Sequence, residues 1–262
     1  MRSSAHRLDA YLVVLGATSL LAWSVLALDG RILTLPAFCS GRALSLAPLS
    51  VSFNLALMLN PPAKLACGWA VMVAAMMSPL LFVPLRHVHD RSFATRRVRA
   101  MLLFSTGYVA VWMAAGVGFQ PMGLAIRSVV PAPPVGLALA AAIAMLWQVT
   151  PAKQWCLNRC HRRPQLAAFG AAADRDAFVF GLISGASCVG ACWALMLVPL
   201  LVGHGHLLAM IAVTIFVAAE RLERPAPLGW SWRGPGKAVR IMAAQARLRL
   251  ALRPTLAPPP AG

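Results

Sequence analysis

The chain has 262 residues, of which 60% are hydrophobic and only 12% charged, with a mean hydropathy of +0.72. That composition excludes an ordinary water-soluble globular domain and makes a lipid bilayer the expected solvent. The net charge of +17 would suit a nucleic-acid binder, but such a protein does not need most of its length apolar, so no nucleic-acid partner is expected.

Measured against the roughly 20 apolar residues that one crossing needs, the sequence predicts an all-α, polytopic membrane helix bundle of about six transmembrane helices. The first span, residues 11–28, follows Arg2 and Arg7 as a signal peptide's apolar run would, yet no small-x-small cleavage site comes before Asp29. An uncleaved span is the better reading. Residues 43–59 are apolar too, but Pro48, Asn54 and the Asn60-Pro61-Pro62 end weaken them, and they are read as an external interfacial or re-entrant segment. The second span, 65–85, carries Trp69, Met72, Met76 and Met77, with Pro79 expected to kink it.

The third span covers 100–119, the fourth 135–155, the fifth 178–202 and the sixth 206–220, ending on Glu220. Together residues 1–221 form the expected membrane domain, and 222–262 a basic tail. Within that tail, Lys237 to Arg253 mixes arginines with Val239, Ile241, Met242 and leucines, as a helix resting on an anionic leaflet would. A frayed basic tail is the alternative. The Pro-rich end is expected to be disordered.

Charge sets the orientation. Twenty of the 24 Lys and Arg lie before span one, between spans two and three, at the end of span four (Lys153) or between it and span five, or after six; only Arg31, Arg42, Lys64 and Arg127 occupy the alternate gaps. By the positive-inside rule both termini are cytoplasmic.

Span five holds Cys188, Cys192 and Met196 at i, i+4 and i+8, which is one helical stripe. Counted from the span ends, this stripe falls level with Met72 and Met76. Thiols and thioethers at membrane depth are what a soft ion such as Cu(I) requires; the plain alternative is that Met and Cys only pack. Gly181-x-x-x-Gly185 would let helices approach closely. At the cytoplasmic end of span four, Lys153, Cys156 and Cys160 share a face if the helix continues past Pro151, and a nearby ammonium favours the metal-binding thiolate.

His204 and His206 stand in the outer turn between spans five and six, where imidazoles could accept or release a metal. Glu220, near the inner face, should have a buried cationic partner, Lys153 or Arg221. Cys39 and Cys67 are both external in this reading. They could form a disulfide, or Cys67 could be an outer ligand. No catalytic constellation and no phosphate or dinucleotide fingerprint occurs, so no enzymatic activity is expected.

Residues 69–79, read as Trp-x-x-Met-x-x-Ala-Met-Met-x-Pro, and 188–196, read as Cys-x-Gly-x-Cys-Trp-x-x-Met, together with Tyr108, Trp112, residues 147–160, Pro164 and Glu220, resemble a bacterial family of predicted metal-binding integral membrane proteins. Some members carry the label copper chaperone. The resemblance spans about residues 69–223 and implies metal binding in the bacterial inner membrane, with these Cys and Met as the suspected ligands. The chain departs from the family pattern at His206, where Met is common, and at Arg221, where Lys is.

The resulting expectation is a multi-pass protein holding copper, foremost Cu(I), or another soft metal, through Cys188, Cys192, Met196, Met72, Met76 and Met77. His204 and His206 would lie outside this site and Cys156, Cys160 and Glu220 inside it. Its partners would be the lipid bilayer, the ion and a metal-accepting or metal-donating protein. The alternatives are a metal transporter using the same route and a membrane scaffold with no metal role.

Overall fold

The computed structural model describes residues 2–28, 62–130, 133–202, 205–232 and 234–252. The expectations for residues 43–59, Cys39, His204 and the Pro-rich end fall outside these. Among the described residues the chain is all-α, with no strand: α1 (Arg2–Leu28), α2 (Pro62–Met77), a 3-10 turn (Ser78–Leu81), α3 (Phe82–Arg91), α4 (Arg97–Val129), α5 (Pro133–Val149), α6 (Pro151–Cys160), α7 (Gly170–Leu201), α8 (His206–Glu220) and α9 (Gly236–Leu252).

Three helical stretches among the described residues, Ala63–Arg91, Arg97–Gly123 and Gly170–Leu201, are long and apolar enough to cross a membrane. A fourth is reached if the bent pair Pro134–Val149 and Pro151–Cys160 is taken together, while Val13–Leu28 and His206–Glu220 are apolar but shorter.

Proline governs two of the breaks. Pro79 has no N–H to give the carbonyl four residues back, and the chain tightens into the 3-10 turn there. The Ala75 carbonyl thus exposed takes the Ser19 hydroxyl of α1 at 2.8 Å, pinning α1 to the weak point of α2. At Thr150-Pro151 the expected single span 135–155 divides into α5 and α6, bent by 71°. Pro151 opens α6, where its missing N–H costs nothing, and the Thr150 side chain caps the Lys153 amide at 3.2 Å.

The tightest packing joins α4 to α7. A Cβ at Gly107 would stand 2.6 Å from the Phe178 carbonyl oxygen, one at Gly185 3.0 Å from that of Tyr108, and one at Gly181 would collide with that of Phe104. Hydrogen side chains at these three positions let the two backbones touch. The consequence is register: Tyr108 faces the thiol stripe of α7.

The basic gaps meet one another. Arg96 and Arg99, after α3, pair with Asp174 of α7 at 2.5 and 2.7 Å, and the His87 ring meets the Pro164 carbonyl at 2.9 Å. Beyond α8 the chain returns to α6, where Gln154 donates to the Gly229 carbonyl at 2.7 Å and Asn158 to that of Ala226 at 2.7 Å. The Arg-rich loops after α3 and α6 and the segment after α8 are therefore neighbours. In α9, Val239, Ile241 and Met242 are exposed.

Candidate metal centre

The buried face of α2 carries Trp69, Met72, Val73 and Met76, a helical repeat of three and four residues, with Ala75 and Met77 enclosed beside it. α7 buries Cys188, Cys192 and Met196 on one stripe, each at most 1% exposed. α8 adds Met210, fully buried in the same contiguous core as Met72, Met76, Met77, Met196 and both thiols. With Met101 of α4, two thiols and six thioethers from four helices thus share one buried core.

Within it the Cys188 thiol lies 3.9 Å from the Met77 Sδ, joining α7 to α2. The sulfur that touches Cys188 belongs to Met77, next to the 3-10 turn. Tyr108 of α4 donates its hydroxyl to the Cys188 Sγ at 3.1 Å, and the Cys192 thiol turns back to the Cys188 carbonyl at 2.9 Å. Trp69, whose indole N–H reaches the Trp112 carbonyl at 2.7 Å, packs its ring against Phe119 and Trp112.

Cys156 projects from α6 onto α7 at Gly190, where a Cβ would be 2.5 Å from its Sγ. Gly190 is two residues from each thiol of the stripe, on a different helix face. The 71° bend therefore lays α6 across α7 and sets Cys156 at the height of Cys188 and Cys192, behind them. Cys160, half-buried, is four residues further along α6. Arg221, with its Nε enclosed and without a hydrogen-bond partner, places a fixed positive charge near Cys160, Cys188 and Cys192.

Glu220 takes Lys153 Nζ at 2.6 Å, with both side chains under 5% exposed. Gln148 completes the group, donating to Glu220 and accepting from Lys153. Lys153 is thus the cation that faces Glu220, and both Lys153 and Gln148 engage its Oε1. His206 sets its Nδ1 2.7 Å from the Pro199 carbonyl, one of the last carbonyls of α7, which lack a helical partner. Cys67 is an exposed free thiol.

Among the described residues no group of three or more His, Cys, Asp or Glu converges as a metal site. The core holds thiols and thioethers instead, with Cys188 and Met77 in contact; sulfur donors of this kind suit soft ions and not hard cations. Tyr108 and Gln148 lie within the blocks that carry the family resemblance but receive no role there, and Met210 lies outside them. A polar group inside an apolar run signals the first two; Met210 carries no signal beyond being a methionine.

The described residues thus form an all-α bundle of apolar helices that buries thiols and thioethers in one core. A family model described as PpoB2, copper chaperone, matches residues 66–243, and the chain belongs to this family. Its role is therefore with copper. The curated proteins and the solved structures contain no significant match.

Proposed function

We infer that the chain is a membrane copper chaperone of six spans, both termini on the cytoplasmic side of the bacterial inner membrane, that holds Cu(I) between α2 and α7 and passes it to or from a partner protein. The observation that carries this reading is the contact of Cys188 with Met77 across two helices, inside a core where Cys192, Met76, Met72 and Met196 supply further sulfur. The joining of the Arg-rich loops at one end of the bundle supports the orientation, since those are the loops the positive-inside rule assigns to the cytoplasm. Counting the two shorter apolar helices, Val13–Leu28 and His206–Glu220, brings the spans to six.

In this reading His206 serves the outer mouth, its Nδ1–H held by the Pro199 carbonyl so that Nε2 carries the lone pair, as metal-ligating imidazoles are usually held. Cys156 and Cys160 serve the inner side. Arg221 balances the negative charge that two thiolates on one monovalent ion would leave. Lys153 and Glu220 fix α6 to α8, and no catalytic step is assigned to any residue.

Copper analysis of purified protein tests the reading. Reduced wild type is expected to retain copper through desalting, and Cys188→Ser with Cys192→Ser to lose most of it; unchanged copper in the double variant refutes the site. Proteoliposomes separate a chaperone from a transporter. A chaperone loads copper without moving it across the bilayer in the absence of a partner, whereas partner-independent flux makes the protein a transporter.

A further inference from the structure

The Cys188 sulfur has neighbours that no motif assigns to it. Tyr108 and Trp112 are four residues apart on α4, one above the other on a single face, and both are buried, at 3% and 0% exposure. The Tyr108 hydroxyl already donates to Cys188 Sγ at 3.1 Å. The buried Trp112 indole N–H makes no well-formed hydrogen bond yet lies close enough to the Cys188 sulfur and the Tyr108 phenol to act as a donor to either.

Two features make this arrangement more than core packing. A buried N–H without an acceptor is costly, commonly about 1–3 kcal/mol, and such groups are rare in folded proteins. The α4 to α7 register that sets Tyr108 against Cys188 depends on bare glycines at Gly107, Gly181 and Gly185, so the donors are held by backbone contact and not by side-chain drift. A neutral thiol is a weak acceptor, whereas a thiolate with a bound cation offers filled sulfur lone pairs that take two donors readily.

We propose that Tyr108 and Trp112 are positioning residues of the copper site, a pair of donors from α4 that orient the Cys188 thiolate and share its charge once the metal is bound. This rests on the proposed copper site and extends it from the sulfurs to the groups behind them. Outer hydrogen bonds of this kind orient a ligand and tune the metal, and removing one typically lowers affinity 10- to 100-fold.

The test uses full-length protein in detergent with Cu(I) as the probe, its affinity read by competition against a chromophoric Cu(I) chelator and its thiolate-to-copper charge-transfer absorption recorded in parallel. Tyr108→Phe keeps the ring and removes only the O–H; Trp112→Phe removes the indole N–H. Each is expected to weaken Cu(I) binding roughly 10- to 100-fold and to shift the charge-transfer band, while the metal-free unfolding temperature of Tyr108→Phe stays close to wild type.

Wild-type affinity and an unshifted band in Tyr108→Phe overturn the proposal while leaving the sulfur site standing. If Trp112→Phe does not fold, Tyr108→Phe alone decides. If Cys188→Ser with Cys192→Ser binds Cu(I) as wild type does, the sulfur site itself is wrong and the donor pair falls with it.

Discussion

Lys153→Met is expected to destabilise the protein by about 3–5 kcal/mol, the usual cost of leaving one buried charge of a pair without its partner. Lys153 and Glu220 are both under 5% exposed and 2.6 Å apart, and the only other side chain hydrogen-bonded to the Glu220 carboxylate among the described residues is Gln148. Gln148 cannot neutralise it. Methionine matches the lysine stem in length, so the packing over Phe216, now 5.8 Å from the ammonium, is largely kept and the loss reports charge. Adding Glu220→Gln to Lys153→Met removes the stranded carboxylate and should recover most of the stability. Unfolding in detergent measures both. A single variant as stable as wild type would mean that the pair does not hold α6 against α8.

Gly181→Ala is the second large effect. The new methyl would meet the Phe104 carbonyl, and its nearest neighbours are all backbone atoms, which cannot turn aside as a side chain can. α4 and α7 must separate. Overpacking of this kind costs about 1–3 kcal/mol and occasionally more, and a backbone obstacle puts Gly181 at the upper end. Separation also withdraws Tyr108 from Cys188, so copper binding should weaken along with the fold. Gly136→Ala is the control: nothing lies within 4 Å of a Cβ there, and alanine favours a helix over glycine by about 1 kcal/mol. Equal behaviour of the two variants would contradict the account of the α4 to α7 contact.

The residues that made the fold legible in the sequence are those whose spacing alone fixes their direction. Cys188, Cys192 and Met196 recur every fourth residue and are buried on one stripe of α7, and Pro79 breaks α2 where its missing N–H requires. Helix ends were less legible. α7 begins at Gly170 and not at 178, because Asp174, Arg175 and Asp176 end a hydropathic run without ending a helix. α4 likewise continues through Gln120 and Pro121 to Val129.

Contacts between helices were hardest of all to read. That Met77 meets Cys188, that Cys156 lies on Gly190, and that Gln148 joins Lys153 to Glu220 depend on register and on the bend at Thr150, which no single helix encodes. The need of Glu220 for a cation was an exception: the sequence left Lys153 and Arg221 as candidates, and the ion pair is with Lys153. A carboxylate at the end of an apolar run demands a cation, and few are within reach.

The central claim is that copper sits on the sulfurs of Cys188 and Cys192 with thioether support from α2. Copper X-ray absorption on the reduced, loaded, full-length protein tests it most directly. The account predicts a Cu(I) edge and a first shell of sulfur alone, lost from the protein carrying Cys188→Ser and Cys192→Ser and depleted in Met77→Leu. A first shell of nitrogen or oxygen, or a sulfur shell that survives both sets of substitutions unchanged, would contradict it.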